Sequence, residues 1–164
     1  MKRAYGFTLI ETVVVIAIMM LFAGLSMTYF NGYAEEKKLE SEEKKIIDIL
    51  ELAKKKAQVG DTSNYVCGEF SGYEVVFAGS SYFLKLCCDL SCGSLYTIQE
   101  YKLGSNIAAT ITGDPTIMFL PVTFRANITS TVTVTVKNTR LNKCIPIYIY
   151  PSGLIDEGSK TVCS

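Results

Sequence analysis

Glu11 stands at the head of an apolar stretch, and from Thr12 to Ala34 no other Asp, Glu, Lys or Arg occurs. A carboxylate at the edge of a hydrocarbon layer costs roughly 2.5 kcal/mol or more, so a cation must answer it or a proton must stay on it. A second group of residues able to do chemistry is Cys67, Cys87, Cys88, Cys92, Cys144 and Cys163. Six cysteines allow fifteen pairings. Structural disulfides in an oxidising compartment are the expected state. Cys144 with Cys163 would fasten the C-terminal tail to the last strand, and Cys67 would pair with Cys87 or Cys88. The cluster Cys87-Cys88-x-x-x-Cys92 has poor spacing for a zinc knuckle, and the chain has no histidine, so no metal site is expected. A third group is basic. Arg125, Lys137, Arg140 and Lys143 lie between Pro115 and Ile155, where no Asp or Glu occurs. Arg140 and Lys143 are candidate DNA contacts through phosphates; a solvated loop is the default, and Asp156 and Glu157 nearby oppose an anion.

The residues ahead of Glu11 give it a context. Lys2 and Arg3 precede Gly6-Phe7-Thr8-Leu9-Ile10-Glu11. That run resembles the processing site of the type IV pilin and pseudopilin superfamily. The resemblance implies removal of a leader, residues 1–6, by a prepilin peptidase cutting between Gly6 and Phe7, then N-methylation of Phe7 and assembly into a helical filament. It also implies that Glu11 pairs with the new terminal amine during assembly. The segment from Ile117 through Thr131–Lys137 to Cys144–Tyr150 and Gly153 resembles the end of a GspH/FimT-type minor pseudopilin domain. The function so implied is a structural subunit of a type IV pilus-like filament, first a minor pseudopilin of a type II secretion system. The alternatives are a fibre-forming pilin, a DNA-binding minor pilin for competence and, more distantly, an anchored enzyme. Implied partners are other pilins or pseudopilins, the prepilin peptidase, an inner-membrane assembly platform and membrane lipid, with nucleic acid a minor alternative.

Composition narrows the chemistry further. Sixteen basic and sixteen acidic side chains cancel, which disfavours a function dominated by nucleic-acid electrostatics. Without histidine there is no imidazole base. There is no glycine-rich phosphate loop and no nucleophile with a histidine base. Neither an enzyme nor a cofactor is expected.

The elements that must position these residues follow from patterning. Residues 7–59 read as one long helix, since the first proline is Pro115. Gly24 and Gly32 are its weak points. Its uncharged part, about 12–34, is long enough to span a hydrocarbon core, and Lys2 and Arg3 hold the leading end in the cytoplasm. A conventional signal peptide would instead be cut after the apolar region, and Ala23-Gly24-Leu25-Ser26 fits that only loosely. The implied location is a bacterial inner membrane, crossed once, with the C-terminal head outside; the filament would stand in the periplasm or at the cell surface. Residues 35–45 carry mixed charge at helical spacing and read as a solvated face. Leu39, Ile46, Ile49, Leu50, Ala53 and Ala57 form an apolar stripe for packing on a sheet, and Gly60 is the expected stop. Residues 60–164 read as a β-rich head with strands at Tyr73–Ala78, Tyr82–Cys87, Leu95–Tyr101, Thr116–Phe124, Thr131–Lys137 and Cys144–Tyr150. Pro146 places its strand at an edge or a bulge. The expected class is α+β, a long N-terminal helix on a small antiparallel head.

Overall fold

The computed structural model describes residues 8–63, 65–89, 92–123 and 125–163, with backbone alone over 25–29. The first element, α1 (Leu9–Val59), runs through Gly24 and Gly32 as helix. Thr8 caps its start: Thr8 Oγ1 accepts from the Glu11 amide at 3.4 Å, satisfying one of the orphan donors of the first turn. Gly60 ends it. With φ +67°, Gly60 donates its amide to Ala57 O at 3.3 Å and Asp61 donates to Lys56 O at 3.2 Å, the paired closure of a Schellman motif. Lys56 in the last turn then pairs with Asp61 at 2.5 Å.

The chain divides between Glu35 and Glu36 into two units. In the first, the described side chains of α1 from Leu9 to Gly24 are exposed. Among the described residues no helix is long and apolar enough to cross a membrane. The apolar run with described side chains ends at Gly24, so a span over 12–34 is not met by a described segment.

The second unit holds every strand. Sheet A has the order β3 (Leu95–Lys102), β2 (Ser81–Cys87), β1 (Gly72–Ala78), β5 (Thr116–Phe119). Sheet B has the order β4 (Ile107–Thr112), β6 (Val132–Asn138), β7 (Lys143–Ile149), β8 (Ile155–Glu157), and β9 (Thr161–Val162) also pairs with β7. All pairings are antiparallel. The molecule is therefore α+β, a long N-terminal helix with antiparallel sheets. One core joins both sheets to α1. Leu39, Ile46, Leu50, Ala53 and Ala57 come from the helix, Val75, Leu84, Leu86 and Ile117 from sheet A, and Val134, Val136, Ile145, Ile147 and Ile149 from sheet B. Each large aliphatic side chain so buried contributes about 1.5–3 kcal/mol.

Four expectations need correction. The charged run is not wholly solvated. Glu42 and Glu43 are buried, because at steps of three and four Glu43 continues the stripe between Leu39 and Ile46. The strand from Thr116 stops at Phe119, since Pro121 has no amide to give a ladder; Thr123 closes a turn onto Pro121 O at 2.7 Å, and Phe124 lies outside the described residues. Strands β4, β8 and β9 are additional. Finally, Pro146 sits on a central strand, between β6 and the β8–β9 side. Its carbonyl accepts from the Gly158 amide at 2.8 Å, so its missing N–H faces the same way. Gly158 lies there between β8 and β9, where the neighbouring ladder is interrupted. A Cβ on Gly158 would meet Pro146 Cγ at 2.5 Å, so only glycine fits opposite the ring.

Candidate functional site

Gly6 and Phe7 lie outside the described residues. The site begins at Thr8, whose carbonyl accepts from Thr12 Oγ1 at 3.3 Å while its hydroxyl caps the Glu11 amide. Glu11 is the acid of the first turn of α1. That is the end where the helix dipole favours negative charge. Thr8-Leu9-Ile10-Glu11 also has the Thr-x-x-Glu spacing of a capping box, of which the hydroxyl half is formed. Sequence reading can find this role of Thr8, because the spacing alone carries it. Beyond Glu11 the side chains from Val13 to Phe22 are apolar and exposed, with Met20 at 70 % and Phe22 at 68 %. A helix apolar on every side needs lipid or other apolar helices around it.

The structure joins the cysteines as Cys67–Cys88, Cys87–Cys92 and Cys144–Cys163. The last bridge holds β9 against the start of β7, where Cys163 also donates its amide to Asn142 O at 3.0 Å. Among the described residues no group of three His, Cys, Asp or Glu is placed to hold a metal. Arg140 and Lys143 lie at the β6–β7 hairpin, whose turn is held by Asn138 Oδ1 accepting from the Arg140 and Leu141 amides at 2.9 and 3.0 Å. Lys143 forms an ion pair with Glu36. Lys160, next to β9, pairs with Glu36 at 3.2 Å and Glu40 at 2.9 Å. Hydrogen bonds from Lys143 and then Lys160 hold the Glu36 carboxyl below its usual range. Those from Lys37 and Lys160 hold Glu40 at about 2. The candidate DNA contact Lys143 thus already answers a carboxylate of α1. No local signal in the sequence marks this tie, since its partners are more than a hundred residues apart.

Residues 1–27 match the prokaryotic N-terminal methylation motif. The methylation motif supports a type IV pilin-like or pseudopilin subunit and points to a structural protein. It further implies a membrane-anchored precursor, processing by a prepilin peptidase and assembly with other pilins. No curated protein and no solved structure matches the chain.

Proposed function

We propose that the chain is a minor pseudopilin of the GspH/FimT type, serving the filament of a type II protein secretion system. The observation that carries this reading is the methylation motif over residues 1–27, which runs into the first turns of α1, where the helix exposes apolar side chains all round. A prepilin peptidase removes residues 1–6 between Gly6 and Phe7 and methylates the Phe7 amine. Before assembly, residues of about 12–34 span the inner membrane and the head, 60–164, lies outside. The membrane keeps a pool of subunits whose stems are already extended. On entry into the filament, Glu11 meets the methylated amine of a neighbouring Phe7. In a medium of low dielectric that attraction is strong, and it offsets the desolvation of both charges only when the register is right. The pair therefore sets how far each subunit advances. The disulfides and the Lys143 and Lys160 ties support this role by holding the head and its C-terminal tail together outside the reducing cytoplasm.

Mass spectrometry of the chain produced with and without a prepilin peptidase tests the reading. The expected product begins at Phe7, carries one added methyl group and is lost when Gly6→Val blocks the cut. An uncut chain, or one cut beyond the apolar stretch, overturns the reading. Deletion in the host is expected to stop secretion of folded exoproteins; loss of surface fibres with secretion intact would instead assign the subunit to a pilus.

A further inference from the structure

Sheet A carries a second feature on the face turned away from the core. Tyr73 and Val75 of β1 point into the core, so Glu74 between them projects to the outer face. Outer-face acids are ordinarily solvated, yet Glu74 is only 5 % exposed. Its register partners are Lys85 on β2 and Met118 on β5. Lys85 turns its ammonium over the Phe83 ring, 5.9 Å from the centroid. Among the described residues Glu74 has no hydrogen bond or ion pair. A buried carboxylate without a partner is costly.

A cavity of about 520 Å³ opens onto this carboxylate, a size that suits a small organic group. Asp114, Thr116 and Asn127 bring oxygen-bearing side chains to it, and Phe70, Met118 and Leu120 supply apolar wall. Ser71 Oγ is buried and has no hydrogen-bond partner among the described residues. No Lys or Arg is among the described lining residues. Burial pushes the Glu74 carboxyl up; Lys85 opposes that rise and Asp114 adds to it. An anion would be repelled by Glu74 and Asp114. A neutral apolar molecule would leave Glu74 unanswered. A bare metal ion is too small for the volume, and no third acid joins the two.

We propose that this cavity binds an organic cation, an ammonium or guanidinium group on an apolar stem, with Glu74 as its counter-ion. The charged end sits between Glu74 and Asp114, while the stem lies along Phe70, Met118 and Leu120. This chemistry can come from a free amine or from a lysine or arginine side chain of a protein partner. The site is independent of the methylation motif and of filament assembly.

Two probes distinguish the sources: n-pentylamine, and an end-blocked peptide with a single internal lysine. Each is titrated into the full oxidised chain in detergent micelles and followed by NMR at Thr116 and the Met118 methyl. Saturable shifts there are expected, and Glu74→Gln is expected to weaken binding about tenfold or more, while Glu100→Gln on β3 leaves it unchanged. Binding of the peptide alone identifies a partner's side chain, and binding of the amine alone a free ligand; either supports the site. Met118→Lys provides a second variant, since it places a tethered ammonium opposite Glu74. It is expected to fold and to abolish binding of both probes. No saturable binding by either probe, unchanged affinity in folded Glu74→Gln, or unchanged binding in Met118→Lys overturns the proposal.

Discussion

Glu43 occupies a core position of α1 with both carboxylate oxygens buried and, among the described residues, unpartnered. Burial pushes its carboxyl up from the usual 4.5 to about 7, and Glu157 on β8 adds to the rise; Lys44 opposes it, while Glu40 and Asp48 raise it further. Between 4.5 and about 7 the folded chain therefore holds a proton that the unfolded chain has released. Folded-state stability falls as pH rises through that window, and the loss is complete above it. The span from 4.5 to about 7 corresponds to on the order of 3 kcal/mol. Glu43→Leu removes the buried charge and keeps a helix former of similar bulk. It is expected to stabilise the chain by about 1–3 kcal/mol at pH 8 and to change little at pH 4. Urea unfolding at the two pH values measures this, and a variant less stable than the parent at pH 8 would refute it. The burial of Glu43 is illegible in sequence. Glu-Glu-Lys-Lys spacing on a helix looks like a solvated face, and only the cover supplied by distant strands reveals otherwise. Glu74 is hidden for the same reason, because β1 alternation correctly sends it outward and says nothing of Leu120, Pro121 and Asn127, which wall its cavity.

Single elements differ in how plainly the sequence announces them, according to how much pattern each can carry. The stripe Leu39, Ile46, Ile49, Leu50, Ala53 and Ala57 is legible over five turns, and all six side chains are buried. Strand β6 is equally plain: Val132, Val134 and Val136 are buried and the threonines between them are half-buried. Strand β4, Ile-Ala-Ala-Thr-Ile-Thr, is not, because its alanines give too little contrast between faces. Strands β8 and β9 have three and two residues, too few for a period of two to register. They exist because β7 offers them an edge and because Cys144–Cys163 brings the tail back. The bridge closes a separation of 19 residues, for which the chain-entropy estimate is about 3 kcal/mol. Replacing both cysteines by alanine is expected to cost about that much and to release β9 first. Amide exchange checks the order: the amides of Thr161 and of position 163, which face β7, should lose protection while Val134 and Ile147 keep theirs. Equal loss across sheet B would show instead that the bridge supports the sheet as a whole.

At the scale of the whole molecule, the division between Glu35 and Glu36 bears on where the chain can be shortened. A chain beginning at Glu35 keeps Glu36 and Glu40 for Lys143 and Lys160 and keeps Leu39 in the core. A chain beginning at Lys44 loses all of these, and Glu43 with them. The two losses have opposite signs and different pH dependence. Removing Leu39 costs about 1.5–3 kcal/mol at any pH. Glu40, held at about 2, remains ionised and paired at pH 4.5, so its tie to Lys160 is still present there. Removing Glu43 relieves a penalty that is small at pH 4.5 and full above about 7. At pH 4.5 the longer fragment is therefore expected to be the more stable by about 2–3 kcal/mol. At pH 8 the gap is expected to close to within about 1 kcal/mol, because relief of the Glu43 penalty then offsets the lost leucine. Paired thermal melts of the two oxidised fragments measure the gap directly. A gap that is constant across the two pH values would mean that Glu43 does not carry the buried charge assigned to it; a gap that widens with pH would reverse its sign.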